Sequence, residues 1–163
     1  MKKIDFNSAF TFKEESLFIR PIQFNDIQIL RKWKNHYRYS FHYQEIISPT
    51  EQEAWFDRFV KDPHQQIFIL KNADKPLACI GYRQTTPHKF ELFNLICGDE
   101  TKQGTGLITA FFEETKHALK NHGVQEIHLE VLKNNTHGIA WYLKQNFQIV
   151  VEKKTFLNMS LTL

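Results

Sequence analysis

The alternation of apolar and polar positions divides the chain into short segments with two different periods. Leu17-Phe18-Ile19-Arg20 predicts a first strand, closed by Pro21, and Asn25 is placed to cap a helix carrying Ile27, Leu30 and Trp33 near helical spacing. Aromatic residues crowd Tyr37 to Tyr43. Ser48-Pro49-Thr50-Glu51 then forms a capping-box sequence with proline at the first helical position. The helix it opens should bury Trp55, Phe56 and Phe59 on one side and stop at Asp62-Pro63. Gln66 to Lys71 alternates as a strand, Asn72 to Lys75 turns, and Pro76 to Arg83 supplies a partner with Gly81 as a candidate bulge.

Phe90 to Cys97 is apolar at almost every position, the pattern of a central strand buried on both faces. A polar, glycine-bearing loop from Gly98 to Gly106 leads into a helix from Leu107 to Lys120, ended by Asn121-His122-Gly123. Val124 to Val131 reads as a strand, Asn135 to Lys144 as a helix, and Phe147 to Val151 and Thr155 to Thr162 as two closing strands. The order predicts an α/β (α+β) fold over residues 1–163 as one domain: a mixed central sheet of about seven strands with helices on both faces. One strand pair in such a sheet can splay where a ligand enters.

Composition narrows this picture. With 163 residues the chain has room for one compact core, and 15 Phe point to an aromatic interior. The net charge of +3 is spread along the chain without a basic block, so nucleic acid is not an expected partner. A small positive excess suits a phosphate-bearing ligand, and equally a merely solvated surface. Cys79 and Cys97 lie inside apolar runs, as reduced thiols do, which suggests the cytoplasm and neither a disulfide frame nor a metal site. Met1-Lys2-Lys3 leads into no apolar run and no segment is long enough to span a bilayer, so neither export nor a membrane anchor is expected.

The candidate chemistry begins at Gln103-Gly104-Thr105-Gly106-Leu107-Ile108, where the buried strand hands over to a helix. Glycines there let backbone N–H groups face an anion, and the helix start adds the positive end of its dipole. A pyrophosphate would fit, although a tight turn needs no more than the same two glycines. No Lys-Ser or Lys-Thr pair follows, which disfavours a Walker-type loop. Further on, Ile127, Leu129 and Val131 alternate toward a core, so His128 and Glu130 share the opposite face. Asn135 is a natural cap for the helix that carries Trp141 and Tyr142.

These residues resemble the GNAT N-acetyltransferases. Gln103 and Gly106 match the family's phosphate loop, while Ile108 stands where the family has a small residue. Ile127-His128-Leu129-Glu130-Val131, then Asn135, Ile139, Tyr142 and Asn146-Phe147 resemble the family's second block, and the two together span roughly residues 90 to 150. The resemblance implies acetyl-coenzyme A as cosubstrate, held by Ile96, Cys97, Gly98, Gln103, Gly104, Thr105, Gly106, Leu107, Ile108, Asn135 and Tyr142, with no metal. It implies Tyr142 as the general acid that protonates the departing thiolate. The same block resembles ribosomal-protein alanine acetyltransferases, which implies Glu130 as the base; a partly buried carboxylate with a raised pKa suits that task. The alternative for Glu130 is a salt-bridged surface group. His42, His64 and His88 fall in or near turns without metal-ligand spacing and receive no site role; His137 is expected in solvent, with an approach to the cofactor from the first turn of its helix as the alternative.

The segment between the first two helices resembles bacterial enzymes that acetylate nucleotide-linked 4-amino sugars, including those of the pseudaminic acid pathway. It implies Trp33, Asn35, Phe41 and Trp55 at the acceptor, aromatic faces for stacking and an amide to orient hydroxyls. The partner would be a small-molecule amine, and the protein a monomer or homodimer. Two other readings remain open: acetylation of a protein's N-terminal amine, and a non-catalytic module that binds acyl-coenzyme A.

Overall fold

The computed structural model describes residues 3–163; Met1 and Lys2, part of the expectation about the chain start, lie outside the described residues. Eight strands form one sheet in the order β1-β2-β3-β4-β5-β6-β8-β7. They are β1 (Ser8–Phe12), β2 (Glu15–Pro21), β3 (Gln65–Lys71), β4 (Pro76–Thr86), β5 (Lys89–Cys97), β6 (Glu126–Leu132), β7 (Gln148–Glu152) and β8 (Phe156–Thr162). Helices α1 (Ile27–His36) and α2 (Pro49–Phe59) lie between β2 and β3, α3 (Leu107–Asn121) between β5 and β6, and α4 (Thr136–Lys144) between β6 and β7. Every strand pairing is antiparallel except β5 with β6. The mixed sheet and the two helical layers therefore appear as expected.

The period-two pattern sorts side chains between two cores. Phe68, Leu70, Ala78, Ile80 and Tyr82 face α3 and its Phe111 and Phe112. Ile67, Ile69 and Cys79 face the other way, onto Leu30 and Trp33 of α1 and Phe59 of α2. Burial holds the Cys79 thiol in its protonated form, its pKa pushed up to about 12.

The strand β1 is the eighth, beyond the seven expected. It joins β2 through Lys13 and Glu14, both in the left-handed region at φ 45° and 66°, the backbone of a two-residue hairpin turn. Phe10 and Phe12 pack on the α3-side core. The entry to α1 also differs from expectation. A short turn over Phe24–Asp26 precedes the helix, and Asp26, not Asn25, is the anchor. Its carboxylate accepts from the Gln23 amide at 2.7 Å and from both ends of the Arg20 guanidinium at 2.6 and 2.9 Å.

The box at Ser48 closes α2 as read, with Glu51 N donating to Ser48 Oγ at 3.2 Å and Ser48 N donating to Glu51 Oε2 at 2.7 Å. Only Phe59 of the three expected aromatics is fully buried, and Gln52 is buried with it; Trp55 and Phe56 are half-buried. The helix ends at Phe59, short of Asp62-Pro63. The strand β5 is buried at Phe90, Leu92 and Ile96 but only half-buried between them, because part of its length borders a cleft. Its register against β4 slips between the pairs Cys79–Ile96 and Gly81–Phe93, so the extra residue sits on β5 and not at Gly81. Asn94 takes it up at φ 50°, and its carbonyl accepts from Cys79 Sγ at 3.2 Å. That one residue reverses the strand's faces: Leu92 belongs to the α3-side core and Ile96 to the α1-side core. Among the described residues no helix is long and apolar enough to cross a membrane.

Candidate active site

β5 and β6 are hydrogen-bonded only over Lys89–Glu91 and Glu126–His128, then diverge. The gap opens a cleft of about 740 Å³ bordered by β5 from the bulge to Cys97, the 103–108 loop and helix start, Glu130 to Leu132 of β6, and Asn135, Trp141 and Tyr142 around α4. The splay expected of one strand pair is thus this pair. Of the residues expected at the cosubstrate, Ile96, Cys97, Gln103, Gly104, Gly106, Leu107, Ile108, Asn135 and Tyr142 line the cleft.

Two others do not. The Gly98 amide donates to Leu77 O at 2.8 Å, and the Trp33 ring fills the place a Cβ would take, 1.9 Å from it. Thr105 turns inward, its hydroxyl donating to Lys102 O at 2.6 Å. Both residues shape the loop from behind.

Gly104 at φ 70° and Gly106 at φ 90° carry the loop through backbone conformations that side chains resist. The amides of Lys102, Gln103 and Thr105 are consumed by short-range turns. Those of Gly104 and Gly106 enter no hydrogen bond among the described residues; nothing lies within 4 Å of a Cβ built on Gly104, and one on Gly106 would meet only the Phe12 ring, at 3.8 Å. Gly106 stands at the N-cap of α3 with no side chain of its own; Leu107 N donates to Thr105 Oγ1 at 3.4 Å, and the next amides of the first turn have no side-chain cap. This donor set fits a diphosphate. The loop is braced from two sides. Lys13 Nζ donates to Thr105 O at 2.8 Å, and Lys102 pairs with Glu15, whose carboxyl that contact holds below its ordinary pKa. From α1, Tyr37 Oη accepts from Gln103 Nε2 at 2.6 Å.

Tyr142 is positioned by the end of its helix. Phe147 N donates to Tyr142 O at 3.1 Å and Asn146 N to Leu143 O at 3.0 Å, with Asn146 left-handed at φ 66°, a Schellman closure in which asparagine serves where glycine is usual. The rings of Trp141 and Phe147 stand edge-on to Tyr142 at 5.4 and 5.5 Å. Trp141 Nε1 donates to Thr109 Oγ1 at 3.2 Å, tying α4 to α3. The Tyr142 hydroxyl has no hydrogen-bond partner among the described residues, and burial raises its pKa, so it keeps its proton near neutrality. Asn135 caps the same helix, accepting from Gly138 N at 3.0 Å. His137 lines the cleft and is also exposed.

Glu130 faces the cleft from β6, but its side chain is 44% exposed, more open than the expected carboxylate. His42 Nε2 lies 3.3 Å from its Oε2, and Asn158 Nδ2 donates to its Oε1 at 3.3 Å. His42 belongs to the cleft lining, although its sequence surroundings carried no site signal.

Of the four acceptor residues, Phe41 lines the cleft. Lys34 Nζ stands 5.0 Å over its ring. The other three are built into the scaffold. Trp33 is buried against Gly98; Asn35 both donates to Ile47 O and accepts from Ile47 N at 2.9 Å; Trp55 stacks on Phe59 at 5.1 Å. Tyr37, His42, Lys102 and Asn94 join the lining without a motif to announce them.

The splayed parallel pair, the bulged strand beside it and the glycine-led helix start at its mouth form a cleft with room for a phosphate-bearing ligand. The family model described as "Acetyltransferase (GNAT) family" matches residues 28–147, and the chain belongs to that family of acetyl-coenzyme A-dependent acyltransferases. No curated protein matches. Among solved structures, a domain from Methanocaldococcus jannaschii superposes with a TM-score of 0.79 at 18% identity, covering 91% of this chain and 99% of that one. PaiA N-acetyltransferase from Thermoplasma acidophilum in complex with coenzyme A gives 0.71 at 17% identity, covering 90% and 99%. FdhC, described as a nucleotide-linked sugar GNAT, gives 0.76 at 18%, covering 97% and 90%, and the Campylobacter jejuni N-acetyltransferase PseH 0.67 at 19%, covering 90% and 97%.

Proposed function

We propose that this acyltransferase moves the acetyl group of acetyl-coenzyme A onto the 4-amino group of a nucleotide-linked sugar. The observation that carries the transfer is the pairing, across one cleft, of unspent loop amides with the protonated, unpartnered hydroxyl of Tyr142. Gln103 to Ile108 would hold the cosubstrate's diphosphate, and the cosubstrate supplies the acetyl group already activated as a thioester. Tyr142 donates its proton to the sulfur as the thiolate leaves. Glu130 supplies negative charge on the side where the amine must lose its proton. For the acceptor, support comes from the Phe41 ring, fixed by Lys34 and open to the cleft, and from the likeness in fold to FdhC and PseH.

Thiol release from acetyl-coenzyme A, measured with a panel of UDP-linked 4-amino sugars and of peptides with free N-termini, tests the reading. Turnover with the sugars is expected. Turnover with peptides alone would shift the acceptor to protein N-termini, and binding of acetyl-coenzyme A without thiol release would leave a non-catalytic module. Tyr142→Phe should lower turnover about 10- to 1000-fold with little change in coenzyme A affinity; undiminished turnover removes Tyr142 from the acid role.

A further inference from the structure

We propose that His42, oriented by Glu130, takes the proton from the attacking ammonium, an assignment that rests on the transferase reading above. One oxygen of Glu130 accepts from the Asn158 amide, and His42 Nε2 stands 3.3 Å from the other. The ring thus turns Nε2 toward the carboxylate, which leaves Nδ1 as the nitrogen available to the ammonium. Nδ1 has no partner among the described residues.

The ring is held in place as well as paired. Phe156 of β8 stands edge-on to it at 5.4 Å. The groups facing the imidazole are thus Glu130 from β6 and Phe156 from β8, with Asn158 beside the carboxylate. A base fixed by a carboxylate on its far nitrogen is the arrangement that nucleophilic enzymes use to set tautomer and direction together. Here it lies in the cleft that also holds Tyr142.

The protons balance as follows. The ammonium gives one proton to His42 Nδ1, and the freed nitrogen lone pair forms the N–C bond at the thioester carbonyl. The C–S bond breaks with its electron pair on sulfur, which takes the Tyr142 proton. The new amide nitrogen sheds its second proton, which returns through solvent to Tyr142, and His42 releases the first to bulk water. The acetamide, the free thiol and one proton are the net products.

The experiment compares wild type, His42→Ala, Glu130→Gln and the double variant, using a UDP-linked 4-amino sugar as acceptor and calorimetry with coenzyme A to follow donor binding. His42→Ala should lose about 100-fold or more in kcat, with coenzyme A affinity unchanged and part of the rate restored by added imidazole. Glu130→Gln should lose activity in the wild-type background and nothing further in the His42→Ala background, since it acts through the ring. If His42→Ala melts early, His42→Gln, which can still bond Glu130 but cannot accept the proton, replaces it. Full turnover in the His42 variants, or an undiminished Glu130→Gln loss in their background, overturns the assignment and leaves the transferase reading standing. A wild type that releases no thiol with any amine overturns both.

Discussion

The two walls of the cleft are made of different material. On the proposed donor side the groups offered are backbone amides, set by glycine conformations at Gly104 and Gly106 and by the start of α3. On the acceptor side they are side chains, and the residues that looked most chemical are spent on structure: Trp33 wedges against Gly98, and Asn35 closes the 36–47 segment onto Ile47. A site made of main chain leaves a motif in the sequence, because few residues permit its conformation. A site made of side chains leaves an aromatic-rich segment in which scaffold and contact residues look alike.

Substitutions can break that contrast. The largest effect is expected at Trp33→Ala, which empties a buried position and should destabilise the fold by about 3–5 kcal/mol. That corresponds to a fall in Tm on the order of 10 °C for a chain of this length, readable by calorimetry. If instead the melt is unchanged and only acceptor KM rises, Trp33 belongs to the substrate and not to the scaffold. Next comes Gly106→Val. Its Cβ meets nothing closer than Phe12 at 3.8 Å, so the penalty is backbone strain of about 1–3 kcal/mol together with a side chain intruding on the amides; coenzyme A affinity should fall about tenfold or more, and retained affinity would count against the loop.

The smallest effect sharpens the donor side through pH. Lys75 at 2.8 Å, with Thr101, holds the Asp99 carboxyl down to about 2. A depressed carboxylate contributes stability above its unfolded pKa of about 3.9 and loses it as pH falls through the folded value. Asp99→Asn should therefore melt slightly below wild type at neutral pH, by ~1 kcal/mol or less, with the gap closing as the pH approaches 2. A gap that persists in acid would mean that Asp99 acts through geometry and not charge.

Most of the fold was legible because its signals are local. Ser48 to Glu51, the alternation of β3 and the apolar run of β5 each name an element without reference to the rest. The hairpin of β1 was not, since Lys13-Glu14 lacks the Asn-Gly or Asp-Gly pair that usually marks such a turn, although the alternation of Phe10 and Phe12 was there to be read. The bulge at Asn94 is set by tertiary packing and has no compositional mark. At the site, the glycines and Asn135 carried a conformational reason for their positions, and Tyr142 was marked by the resemblance to the family. His42 carried none: its role depends on β6 and β8 arriving beside it, which a linear reading does not contain.

The hairpin turn has one more implication. Lys13 and Glu15 reach across to Thr105 and Lys102, yet they precede residue 28, where the match to the family begins. The proposed diphosphate loop is thus braced by a stretch that lies outside the span of the family model, so changes confined to that opening ribbon would leave every recognised motif in place while loosening the loop.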